Sequence, residues 1–308
     1  LLADRWANEA FASYYATEVA ADLNVKAGTD ELTDELQAAR IPLNAWGPVG
    51  TEDIAQEDYA YAASLALARV IAERAGDQAL AAVWAAAAER VGAYQPPDGN
   101  PELVAAAPDW RGLLDLLEEG SGAEPFDDQW RAWVARPTDL PLLDARAAAR
   151  ERLERVSAAT DGWRLPRPIR DAMRAWRFED ATALIDAAEA SLAARAEVEA
   201  AATRAGVIAP DTLRTAFEDD DGFDDALAEA DAELDAIAQY ARAAAARPTE
   251  VTPFISLGLW GETPEVDLKS ASAALARGDL EVAVAAAGDA EVVWTTAAAI
   301  GQGRAVSL

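Results

Sequence analysis

Trp6-Ala7-Asn8-Glu9-Ala10-Phe11-Ala12-Ser13-Tyr14-Tyr15 reads as one amphipathic helix. Trp6, Ala10, Tyr14 and Thr17 follow a single face at spacings of three and four. The stretch sets one carboxylate, Glu9, among large apolar neighbours. A carboxylate so placed is matched by a salt bridge or by a metal. The helical pattern extends from Ala3 to Leu23 before Asn24 to Gly28 breaks it.

Outward from this helix the same pattern repeats. The chain has 308 residues, of which 52% are apolar, enough for a sizeable core. Ala dominates the apolar share, and Ala, Glu and Arg favour helix. Only short stretches resemble strands, so the predicted fold class is all-α. There are 55 acidic and 26 basic residues, a formal net charge of −29. That balance argues against nucleic-acid backbones and anionic membrane surfaces, which call for a basic footprint. The chain holds no Cys and no His. Disulfides, thiolate metal sites and Ser-His-Asp or Cys-His catalysis are therefore excluded. No run of eighteen apolar residues occurs, and the nearest approach, Val282 to Ile300, carries Asp289 and Glu291. Localisation stays open.

The opening stretch resembles the W-x-x-E-G-F-A-x-Y segment of gluzincin metallopeptidases, most closely their aminopeptidase branch. Ala10 stands where that family has Gly. In the family an H-E-x-x-H helix gives two zinc ligands and the water-activating Glu, and a second Glu roughly twenty residues on completes the site. By resemblance that second Glu is Glu9. Without histidine this chain lacks the H-E-x-x-H helix, which the resemblance places upstream of Leu1. A chain that begins with Leu inside a helical pattern fits the C-terminal part of a longer protein.

The resemblance implies a second site residue. Thr51-Glu52-Asp53 opens a helix containing Tyr59-Ala60-Tyr61-Ala62-Ala63-Ser64-Leu65 and ending near Gly76. In the family a Tyr followed three residues later by Gly donates a hydrogen bond to the oxyanion of the tetrahedral intermediate. Tyr61 fits that place, with Ser64 for the Gly and Ala63 for the usual Lys; Tyr59 is the alternative. The implied reaction is hydrolysis of a peptide or protein substrate with zinc in the parent protein, and no cofactor is expected on this chain alone. The competing reading is a non-catalytic helical interaction or scaffold module.

Residues 1–95 are then the rear helices of a peptidase-like catalytic domain. Residues 96–141 are a connector with short helices, opened by the linker Tyr94 to Pro101 and closed by the break Pro137 to Pro141. Residues 142–308 are a C-terminal all-helical domain, a bundle or a helical-repeat array. Predicted helices there include Leu142–Ala159, Asp180–Ala205, Asp224–Arg247 and Asp279–Ile300, with Val251 to Trp260 a short apolar stretch read as extended. A faint repeat links Met173–Leu184 to Ala274–Val284, each a helix, a charged break and an Ala-rich helix. The acidic run Glu218 to Asp225 reads as a solvated turn capping the next helix, since a calcium loop with Gly222 sixth puts Phe217 and Ala228 at ligand places. Arg164, Arg167, Arg170, Arg174 and Arg177 form a basic cluster expected to pair with nearby carboxylates. Of the ten Trp, Trp110, Trp130, Trp133, Trp163 and Trp176 are expected as core anchors among small Ala side chains.

Overall fold

The computed structural model describes residues 2–27, 31–51, 53–121, 125–219 and 223–306. Among them it is all-α. Fourteen helices follow in order: α1 Arg5–Asp22, α2 Asp34–Gln37, α3 Ile54–Ala75, α4 Asp77–Glu89, α5 Trp110–Ser121, α6 Asp127–Gln129, α7 Leu140–Ala159, α8 Arg167–Arg174, α9 Phe178–Ala205, α10 Thr212–Glu218, α11 Phe223–Ala246, α12 Pro253–Gly258, α13 Pro264–Leu275 and α14 Leu280–Val306. A single antiparallel bridge, Val91 to Leu103, is the only described β pairing.

Local chemistry explains most boundaries. Asp53 caps α3 by accepting from Gln56 N at 2.9 Å, and Gly76, at φ +78°, ends it. Thr29 and Asp30, either of which reads from the sequence as an N-cap for a short acidic helix Glu31 to Ala39, lie outside the described residues; α2 starts at Asp34, where the Thr33 hydroxyl accepts from Leu36 N. Pro141 does not end a break but sits in the first turn of α7, where a missing N–H costs nothing. The Val251–Trp260 stretch is not extended. Thr252 accepts from Ile255 N and Pro253 takes the first helical position of α12. Both repeat-like stretches are helix, short break, helix, with Trp176 at φ +53° and Gly278 at φ +77° in the breaks. Of the acidic run Glu218 to Asp225, Asp220 to Gly222 fall outside the described residues.

The chain divides into two compact units, residues 1–152 with 169–182 and residues 153–168 with 183–308. Residues 96–141, read as a connector, belong to the first unit. Tryptophans anchor its core: Trp6 packs edge-on to Trp130 at 6.0 Å, Trp110 to Trp176 at 5.2 Å, and Phe11 to Trp84 at 4.6 Å. Asp115 is wholly buried there. It accepts from Tyr94 Oη at 2.9 Å, Arg146 Nε at 2.7 Å and Trp176 Nε1 at 2.8 Å. In the basic cluster Arg170 and Arg174 hold Glu102 and Arg177 pairs with Asp180 at 2.9 Å, as expected, whereas Arg164 meets Glu218 through its backbone N–H and through the Glu218 carbonyl. Burial pushes Glu102 up, but Arg170 and Arg174 hold it down at about 2.

The second unit packs α11, α12 and α13 against α14, whose Ala283, Ala287, Ala290, Trp294, Ala297 and Gly301 are buried. By length and composition α14 is long and apolar enough to cross a membrane, which the count of uninterrupted apolar residues had not suggested. Arg304 closes the C-terminus of α12, donating to the carbonyls of Leu257, Gly258 and Trp260 at 2.8, 3.1 and 3.0 Å.

Glu233 of α11 is fully buried and caps α10. Its Oε1 accepts from Thr212 Oγ1 at 2.6 Å and Leu213 N at 2.9 Å, while Oε2 has no partner. Burial pushes this carboxyl above its ordinary range; the two bonds oppose that, and Glu229 and Asp211 add to it. A raised carboxyl binds its proton more tightly in the folded state. Its contribution is full below the ordinary Glu value of about 4.3 and is lost as pH rises through the raised value. Glu233→Gln is therefore expected to match the parent in melting temperature near pH 4 and to exceed it progressively toward neutral pH. A difference that stays constant from pH 4 to 8 would show that Glu233 is not the titrating group.

Candidate functional site

The Glu9–Tyr61 region is built from α1 and α3, which pack on each other. Trp6, Ala7, Ala10 and Phe11 turn into the core, which places Glu9 at the margin of the buried face. Its carboxylate is half-buried and has no hydrogen-bond or ion-pair partner among the described residues. Tyr59 and Tyr61 lie two apart on α3, so they point to nearly opposite sides. Tyr59 is 1% exposed, and burial pushes its phenol up. Tyr61 is 40% exposed.

One arginine links the two helices. Arg5 Nη2 donates to Tyr61 Oη at 3.1 Å. The same guanidinium grips Glu57 through both nitrogens, at 2.5 and 3.3 Å, and donates to the Gly47 carbonyl at 2.9 Å. Trp46 lies under it, 3.9 Å from Arg5 Cζ to the ring centroid, donates to Glu57 at 2.9 Å, and meets Tyr61 edge-on at 4.8 Å. The hydrogen bond from Arg5, with that from Trp46 behind it, holds the Glu57 carboxyl below its ordinary range. Arg5 and Glu9 are one turn apart on α1, as Glu57 and Tyr61 are on α3, so each pair shares a face. Glu9 and Tyr61 thus lie on the two helix faces that Arg5 joins.

One expectation attached to the resemblance is not met. Absence of an upstream helix would leave Trp6 or Phe11 uncovered, yet they are 1% and 5% exposed. Trp130 and Trp84, from later in the same chain, supply the cover. A concavity shared by Glu9 and a tyrosine is also expected; the cavity of about 370 Å³ in this unit is a different one, lined by none of Glu9, Tyr59 and Tyr61.

Zinc sites take three or four ligands. Glu9 is a single hard donor with a cation one turn away, and no three or more His, Cys, Asp or Glu among the described residues are grouped to hold a metal. These residues alone do not fit a resident zinc. Sequence reasoning passed over Arg5, Trp46 and Glu57. Arg5 directly before Trp6, and a Trp in a Pro- and Gly-rich loop, were visible, but their meeting with Glu57 depends on a separation of up to 52 residues.

Compared with known protein families, curated proteins and solved structures, the chain matches none.

Proposed function

We propose that this chain is the C-terminal part of a zinc-dependent peptidase, with Glu9 one ligand of the parent's metal and Tyr61 the hydrogen-bond donor to the oxyanion. The observation that carries the reading is the junction at Arg5. It joins α1, which carries a carboxylate without a partner among the described residues, to the exposed phenol of α3, in the order and residue types of the gluzincin pattern. A guanidinium only donates, so Tyr61 Oη accepts from Arg5 and its own O–H proton is left to point elsewhere. That is the orientation an oxyanion donor requires. The remaining ligands and the general base would come from an H-E-x-x-H helix that this chain does not contain.

The test uses the parent protein with its upstream sequence. Glu9→Gln should lose stoichiometric zinc. Tyr61→Phe should keep the zinc and lower kcat by about 10²-fold or more at little change in KM. A parent without H-E-x-x-H, or Tyr61→Phe with undiminished kcat, overturns the proposal. The burial of Trp6 and Phe11 and the closed Arg5–Glu57–Trp46 contact favour a second reading, a non-catalytic helical interaction module, in which Tyr61 completes a structural clamp.

A further inference from the structure

We propose that the cavity of about 370 Å³ in the first unit is a binding site for a small apolar monocarboxylate, its hydrocarbon body inside and its carboxylate on Arg90. The volume falls within the range of ligand sites, roughly 300–1,000 Å³. The walls are small and apolar: Ala86 from α4, Val91, Val104, Ala106 and Pro108 from the connecting segments, and Leu116 from α5. Small side chains leave the space open. At Gly112, also in the wall, a Cβ would approach Pro108 Cβ to 3.0 Å.

The connecting segments are pinned, so the cavity is preformed. Gly92 N donates to Glu102 O at 3.1 Å and Val104 N to Arg90 O at 2.8 Å. The Gln95 amide donates to the carbonyls of Gly92 and Glu102 and accepts from Glu102 N. Ala3 N ties the far side to Pro108 O at 2.9 Å.

The charge on the lining decides the ligand. Asp115 is occupied by Tyr94, Arg146 and Trp176. Asp109 is occupied by the Arg111 side chain and by the backbone N–H groups of Arg111 and Gly112. Arg174 is occupied by Glu102, Asp171 and the carbonyls of Ala93 and Tyr94. Arg90 is different. Its side chain donates to the Ala105 carbonyl at 2.5 Å and has no carboxylate partner among the described residues. Acids outnumber bases 55 to 26 in this chain, so an arginine without a carboxylate at an apolar cavity is unexpected as a surface feature. Arg90 is exposed while lining the cavity, which puts its guanidinium at the mouth. One unmatched positive charge there suits one negative charge, and a guanidinium matches a carboxylate with two parallel bonds. Two lining aspartates and a net charge of −29 disfavour a multiply charged anion.

Calorimetric titration of the full chain with octanoate, and separately with octan-1-ol, tests the proposal. Octanoate should saturate a single site at least about 10-fold more tightly than the alcohol. Arg90→Gln should bring octanoate to the alcohol's affinity and leave the alcohol unchanged. Ala106→Trp should fill the mouth and abolish both; Val104→Phe, two residues earlier on the same segment, serves the same purpose if the first variant fails to fold. Absence of saturable octanoate binding, equal affinity for acid and alcohol, or undiminished binding in a folded cavity-filled variant overturns it.

Discussion

Replacing Gly301 by alanine is expected to cost the second unit about 3 kcal/mol, while the same change at Gly303, two residues along α14, is expected to raise its stability by up to about 1 kcal/mol. The contrast comes from a close helix crossing. A Cβ on Gly301 would lie 1.7 Å from the Phe254 carbonyl oxygen, and one on Gly258 would lie 1.8 Å from the Ala297 carbonyl oxygen. Both obstacles are backbone, so no rotamer change relieves them, and α12 must retreat by ~1.5 Å to regain ordinary contact. Retreat also pulls the carbonyls of Leu257, Gly258 and Trp260, at and just after the end of α12, away from Arg304. At Gly303 a Cβ meets nothing within 4 Å, so only the helix-propensity gain remains. Urea unfolding of both variants, with unchanged slope, reads the two shifts directly. Shifts of the same sign, or both within about 0.5 kcal/mol of the parent, would mean that α12 and α14 do not cross this closely.

This crossing also marks where sequence reasoning stops. The long helices were legible because composition, period and caps agree: α3 has Asp53 before it and Gly76 after it, and α11 ends before Pro248. α12 was obscured by Val251, Pro253 and Gly258, each of which reads as extended or broken. Its Thr252–Pro253 start is a helix signal only once Thr252 is seen to accept from Ile255 N. No local pattern says that Gly258 and Gly301, 43 positions apart in the numbering, exist to let two backbones touch. The candidate site divides in the same way. Glu9 and Tyr61 could be named from motif-like spacing, and Tyr59 separated from Tyr61 only by burial. Arg5, the residue that joins their helices, carries no local mark of that role. Asp115 left a trace: one carboxylate inside Leu113-Leu114-Asp115-Leu116-Leu117 implies a buried partner. Its partners lie 21, 31 and 61 residues away, beyond any periodicity.

That buried pair gives the other large effect. Asp115→Leu is expected to cost the first unit about 3–5 kcal/mol, because it strands Arg146, whose side chain is 4% exposed, with Glu118 as its remaining carboxylate. Arg146→Met should cost less. The two partners differ in what they can do when abandoned: an arginine cannot shed its proton, whereas burial already pushes the Asp115 carboxyl up, so it can take one. The Arg146→Met defect should therefore shrink as pH falls, since the raised carboxyl contributes stability below its folded pKa and loses it above. The double variant Asp115→Leu/Arg146→Met removes both charges and should recover at least half of the Asp115→Leu loss; the unpaired Tyr94 hydroxyl and Trp176 N–H account for what remains. Guanidinium chloride unfolding of the four proteins at pH 5 and 8 completes the cycle. If the double loss equals the sum of the single losses, Asp115 and Arg146 act independently and the network does not hold the first unit as a coupled pair.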